Sequence, residues 1–375
     1  MKVFHCDHCQ HLVFFENTQC VNCGRLLAFL PDLLLVGSLD PVPDAPERWR
    51  SPIARATGEY RLCDNYRVAQ VCNWAVEAAD DQSLCRSCRL TRVVPDLSVE
   101  GNTAAWYRLE VAKRRLVYTL LSLGLPFDSL VFEFLADAGP DAPPVLTGHA
   151  AGVITINIAE ADDAERERRR HALREPYRTL LGHMRHESGH YFWTHLIEAN
   201  ADRLARFRDL FGDDREDYAT ALQRHYENGP RADWQEQFVS AYASSHAWED
   251  WAETWAHYLH MADTVEIAAA CGVSLRPPRA DEPALPRMPA SVVDAEGSFD
   301  RLLASWYPLT YMLNNLNRGL GLPDPYPFVL SAPAADKLRF VHETIADTRN
   351  GAAPTDREAA APTSTTQPDG ATLHG

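Results

Sequence analysis

From Trp106 the apolar residues recur at helical intervals, with Leu109, Ala112, Leu116, Leu120 and Leu121 on one stripe and Lys113 to Arg115 off it. That pattern predicts a long amphipathic helix opening a larger domain. Residues 153–158 alternate instead, Ile154, Ile156 and Ile158 on one face and Val153, Thr155 and Asn157 on the other, which predicts a half-buried strand. A helical run from about 175 to 197 offers Leu180, Leu181, Met184 and Phe192 to a core, and a second around Trp248–Trp255 carries Trp248, Trp251, Trp255 and Tyr258 as an apolar stripe. Helices resume at 298–320 and 334–345, beyond a Pro-rich stretch at 277–289. Residues 165–170, dense in Arg and Glu, read as a solvated helical face.

Upstream of residue 100 this periodicity is absent. Pro41, Pro43, Pro46 and Pro52 mark 38–60 as a connector, and the Ala, Thr, Pro, Ser and Gly that follow Gly351 read as a disordered tail. The organisation expected is therefore 1–37, connector 38–60, 61–95 with a second cysteine cluster, a main domain at 100–346 and a tail at 347–375. With 46% apolar and 23% charged residues among 375, most of the chain can bury a core. A net charge of −16 disfavours nucleic acid and acidic membrane surfaces as partners. The longest apolar stretch, Leu26 to Val36, is broken by Pro31 and Asp32, so no membrane span is expected; with no signal-peptide pattern at the start, the expected location is the cytoplasm.

Eight of the nine cysteines precede residue 90. Cys6, Cys9, Cys20 and Cys23 form two CxxC pairs ten residues apart, each able to set two thiolates on one turn, and a reducing compartment makes this a structural zinc ribbon rather than a disulfide set. His5 and His8 stand as substitute ligands. Cys63, Cys72, Cys85 and Cys88 form a second, looser set, read as a further structural zinc site against the alternative that Cys63 and Cys72 are small core residues. Arg86, Arg89 and Arg92 beside it are the best support for a nucleic-acid-binding ribbon, a thin case in an acidic chain. Cys271, among apolar neighbours, reads as core.

His186-Glu187-Ser188-Gly189-His190 matches HExxH within a helical run. Residues four apart on a helix face the same way, so His186 and His190 can offer two imidazoles to one zinc while Glu187 leans toward the remaining water as general base. Catalytic zinc takes a third protein ligand, and Glu249 and Glu253, one turn apart, are the candidates: one to bind the metal and one to orient a histidine, unless both simply face solvent. His183 reads as a supporting or surface histidine, His246 as either an oxyanion donor or a helix cap, and His257 and His260 as leaving the metal behind.

HESGH followed by an ExxxE helix resembles the gluzincin metallopeptidases, and the N-terminal CxxC ribbon with HESGHYFW and WEDWAETWAHYLH resembles a bacterial family of zinc-dependent peptidases, over most of residues 1–345. The resemblance implies an α+β fold, with zinc-ribbon modules followed by a mainly helical gluzincin-like metallopeptidase domain with a small sheet. It implies that Glu249 is the third ligand and that Glu253 braces a ligand histidine. A tyrosine seven residues before the ligand glutamate assists the transition state in one gluzincin subgroup, and Tyr242 stands there. Trp248 departs from the Asn that many gluzincins carry before that glutamate, and Glu249 lies 59 positions beyond His190, farther than in the shorter-spaced members. Hydrolysis of peptide or protein substrates with one catalytic and one or two structural Zn2+ ions is the activity implied, the strand at 153–158 serving as the edge that aligns the peptide. The alternative is a catalytically inactive, zinc-stabilised binding or scaffold protein that recruits a partner protein through its ribbon.

Overall fold

A computed structural model describes residues 2–139, 143–172, 177–279, 281–286 and 298–351. The N-terminal third opens with a hairpin of β1 (Phe4–His5) and β2 (Leu12–Val13). β3 (Leu26–Leu30), β4 (Leu35–Pro41), β5 (Trp49–Arg50), β6 (Glu59–Leu62) and β7 (Ala75–Glu77) then form one antiparallel sheet in that order, with the short helix α1 (Asp64–Arg67) between β6 and β7. The stretch 38–60, expected as a connector, supplies most of β4 and all of β5. Its prolines do not prevent this, because Pro41 closes β4 and Pro43 and Pro46 sit in the turn before β5. A bridge between Phe29 and Trp74 ties β3 back toward β7, so the two cysteine clusters, expected in separate lobes, share one sheet and one aromatic core of Phe15, Phe29 and Trp74.

The second half starts with β8 (Thr91–Val93) and α2 (Asn102–Ser122), followed by β9 (Val131–Leu135), β10 (Gly148–Ala150) and β11 (Val153–Asn157). These strands make a sheet ordered β10-β11-β9-β8, with β10 antiparallel to β11 and the other pairs parallel. Ile154 and Ile156 are buried as the alternation requires. β11 nevertheless lies inside the sheet, and the free edge is β10, which runs beside the HExxH helix. Gly148–Ala150, three residues with a glycine and a histidine, carry no strand signal, so alternation alone points to β11.

α3 (Asp163–Ala172) is laced by short-range ion pairs such as Arg169–Glu165 at 2.7 Å, in keeping with a solvated face. The rest is helical: α4 (Leu180–Phe192), extended by a π turn to Glu198, α5 (Ala201–Phe211), α6 (Tyr218–Asn228), the short α7 (Trp234–Gln237), α8 (Ala247–Ala270), α9 (Ser298–Gly319) and α10 (Ala332–Arg349). α4 begins at a Thr179 cap whose hydroxyl accepts from Gly182 N, later than the periodicity suggested. Trp251, Trp255 and Tyr258 are fully buried between α4, α5 and α10, where losing one tryptophan costs about 3–5 kcal/mol. The tail expected at 347–375 lies outside the described residues from 352 on. Among the described residues no helix is long and apolar enough to cross a membrane.

Two expectations about charged and reactive side chains are corrected. Lys113 and Arg114, placed off the buried stripe of α2, are themselves buried: Lys113 lies 2.8 Å from Glu110, while Arg114 donates to Val71 O at 2.5 Å and faces the second cysteine cluster. A buried cation is tolerated where acids or thiolates compensate it. Cys271, expected in the core, is exposed just beyond α8.

Candidate metal centre

In the first cluster the two CxxC turns are near copies. Gln10 N donates to Cys6 O and Gly24 N to Cys20 O, each at 2.8 Å, folding both pairs the same way. The sulfurs then meet crosswise, Cys6 to Cys23 at 3.7 Å and Cys9 to Cys20 at 3.6 Å. In the second cluster Cys72 and Cys85 are 3.7 Å apart, and all four residues are buried. A disulfide would bring sulfurs to about 2.05 Å, whereas a tetrahedron with bonds of about 2.3 Å has an edge of about 3.8 Å. Burial and the neighbouring Cys63, Cys72 and Cys88 push the Cys85 thiol well above its ordinary range, the electrostatic cost that a divalent cation removes. Both sulfur sets fit zinc, and neither His5 nor His8 belongs to the first. Arg86, Arg89 and Arg92 are engaged with Asp128, Asp80 and Glu133.

The third group is built where α4 crosses α8. A Cβ on Gly189 would lie 2.9 Å from Ala252 Cα and 3.3 Å from Ala252 O, so only glycine permits this approach. Trp251 Nε1 donates to Gly189 O at 2.8 Å and Trp255 Nε1 to Ser188 Oγ at 3.1 Å, locking the rotation of one helix on the other. The crossing carries Glu249, on the first turn of α8, to the imidazoles: Glu249 Oε2 is 3.0 Å from His186 Nε2 and Oε1 is 3.6 Å from His190 Nε2. Ligand bonds of about 2.05 Å in a tetrahedron imply donor separations of about 3.4 Å. Glu249 Oε2 and His190 Nδ1 are buried with no aligned hydrogen bond. Two imidazoles and a carboxylate, converging with such buried orphans, fit a zinc ion.

His186 Nδ1 lies 2.7 Å from Glu253 Oε1, and Ser240 Oγ donates to Glu253 Oε2 at 2.6 Å. With the Nδ1 proton directed at a carboxylate, the Nε2 lone pair is left facing Glu249. Burial alone would lower the His186 pKa, but Glu249 and Glu253 raise it well above the usual range; Glu249 is held well below its own, burial being overcome by His190 and His186. Among the described residues no carboxylate bonds His190 Nδ1, and Trp248 instead packs on its ring with centroids 3.7 Å apart and planes tilted by 33°. The Glu187 carboxylate has no hydrogen bond or ion pair among the described residues and is 9% exposed. Tyr242 stands beside His186, ring centroids 6.0 Å apart, and burial and then Glu249 push its phenol well above the usual range.

His149 of β10 lies beside His190, ring centroids 6.1 Å apart, while the histidines weighed from the sequence lie elsewhere. His183 Nδ1 sits 2.6 Å from Glu160, His246 caps α8 by accepting from Trp248 N at 3.0 Å, and His257 meets the hydroxyl of Tyr326 at 2.9 Å. Asp250, next to Glu249, points the opposite way; burial lifts its pKa to about 7 even though Lys337 of α10 lies 2.6 Å away. Sequence reasoning missed Tyr218, whose hydroxyl donates to Glu249 Oε1 at 2.6 Å, and the supporting Ser240 and Lys337. None of them sits at a spacing that relates it to the motif.

Residues 102–344 match a family described as "Putative zinc-binding metallo-peptidase", and residues 3–99 match a zinc-ribbon domain. Uncharacterized proteins of Mycobacterium tuberculosis and Mycobacterium bovis are each 42% identical over 353 residues, covering 92% of this chain and 95% of the relative. No solved structure matches the chain. The fold is α+β as expected, and the chain belongs to this zinc-binding metallopeptidase family, with a zinc-ribbon domain ahead of the helical part.

Proposed function

We propose that the chain is a zinc-dependent metallopeptidase that hydrolyses peptide bonds, with His186, His190 and Glu249 holding the catalytic ion and the two four-cysteine clusters holding structural ones. The observation that carries the reading is Glu187, a carboxylate with no hydrogen-bond or ion-pair partner among the described residues, adjacent in sequence to one of two imidazoles that converge on a third donor. Bound zinc supplies Lewis acidity toward a carbonyl oxygen and makes a water acidic at neutral pH. Glu187 takes the proton of the attacking water on its carboxylate and returns it to the departing amide nitrogen. Glu253, held by Ser240, keeps the Nδ1 proton of His186 and so fixes the ring. Tyr242 donates to the carbonyl oxygen as charge builds there. β10 offers free backbone N–H and C=O groups, so an extended peptide can lie along it as an added strand. We read 100–346 as the hydrolytic unit, and the reduced cysteine pairs favour a cytoplasmic setting.

Zinc counted per chain should be three in the wild type and two in His186→Ala. Glu187→Gln should keep three ions while turnover of a peptide released from a broad library falls about 1,000-fold or more. Zinc-loaded wild type that cleaves nothing in the library would exclude peptidase activity.

A further inference from the structure

Tyr218 opens α6, behind an Asp217 cap, and its hydroxyl reaches Glu249 Oε1, the oxygen that also faces His190. Its ring stands edge-on to His246 at 5.4 Å and to Trp248 at 5.5 Å, residues that precede Glu249 at the start of α8. The slot fixes the ring plane and leaves the C–O bond free to turn the proton. Tyr218 is 38% exposed, so a substrate can reach it, and Tyr242 and Glu187 lie within electrostatic reach of its phenol. A phenol is protonated at neutral pH and is a donor. In the resting arrangement that donor is spent on a carboxylate that a metal would claim.

Resting on the peptidase reading, we propose that Tyr218 is a further catalytic residue, whose O–H turns from Glu249 to the oxygen of the scissile carbonyl and stabilises the charge that develops there. No proton is transferred. The hydrogen bond moves from one anionic oxygen to another, and adds to the one that Tyr242 gives. α6 buries only Ala221 among its residues, so the helix owes little of its sequence to the core and presents Tyr218 at the mouth of the site. The rival role for this phenol, steering Glu249 as a ligand, makes opposite predictions for zinc affinity.

Tyr218→Phe keeps the ring in its slot and removes the donor. Three quantities separate the roles: kcat and KM on a peptide the wild type cleaves, zinc affinity by chelator competition, and calorimetric affinity for a phosphinic peptide, whose tetrahedral anionic phosphorus mimics the transition state. The expected result is a kcat about 100-fold lower, KM and zinc affinity unchanged, and a matching loss of phosphinic-peptide affinity. Unchanged kcat and phosphinic-peptide affinity would overturn the proposal, as would a fall in zinc affinity large enough to account for the lost turnover. If zinc-loaded wild type neither cleaves peptides nor binds the phosphinic peptide, the peptidase reading itself fails and this proposal falls with it.

Discussion

The cysteine clusters and the histidine–glutamate group solve the same electrostatic problem with opposite outcomes. Each cluster surrounds its centre with four like donors; the second is fully buried, and backbone N–H groups of Trp74 and Cys85 point at its sulfurs at 3.3 Å. Nothing is left for a further ligand. Among the described residues the α4–α8 site presents three donors, of two kinds, and beside them the Glu187 carboxylate with no partner. A closed shell stabilises a fold, whereas an incomplete one leaves room for chemistry. The difference also lies in what builds each site. The ribbon turns are local in sequence, while the third group needs a helix crossing that joins residues about sixty positions apart.

The largest test of this contrast removes a sulfur from the closed set. Cys85→Ser should cost on the order of 10 kcal/mol, enough to leave the N-terminal third unfolded by circular dichroism, with one zinc fewer per chain; a wild-type melting curve would break the comparison. Acid should act on the helical half. Burial lowers the pKa of His257 to about 4 and of His260 to about 3, against 6.5 in the unfolded chain. Their contribution to stability is present above pH 6.5 and is lost as the pH falls toward 4, because the unfolded chain then binds protons that the folded chain refuses. For His257 this amounts to about 3 kcal/mol, and His257→Asn should flatten that limb of the stability profile measured by denaturant titration. The smallest effect is Gly189→Ala, about 2 kcal/mol from overpacking at Ala252. It should weaken the third zinc site and peptide turnover while both cysteine sites keep their metal, and equal loss from all three would show that the sites are not independent.

Much of this contrast was legible beforehand, for a physical reason. CxxC turns and HExxH spacing are local, so the pattern of residues along the chain is also the pattern of side chains that converge in space. Glu249 and Glu253 were reached through their helical spacing and a family resemblance; in the folded chain Glu249 faces both imidazoles and Glu253 lies against His186 Nδ1. The strand at 153–158 was visible from alternation, but its place inside the sheet depends on pairing with the short β10, which has too few residues to show a period. Lys113 and Arg114 look like surface residues because helical periodicity cannot register Glu110 or the thiols that compensate them. Tyr218 escaped because it stands 31 residues before its partner on a separate helix, and only the folded chain relates them.

The ion pair between Asp250 and Lys337 has a further consequence for the order of synthesis. Lys337 lies on the last of the described helices to leave the ribosome, after both histidines and both glutamates, so the Asp250 carboxylate waits for this ion-pair partner until α10 docks. Glu249 is its neighbour on the same turn, so the closing of α10 over α8 and the placing of Glu249 act on one stretch of helix.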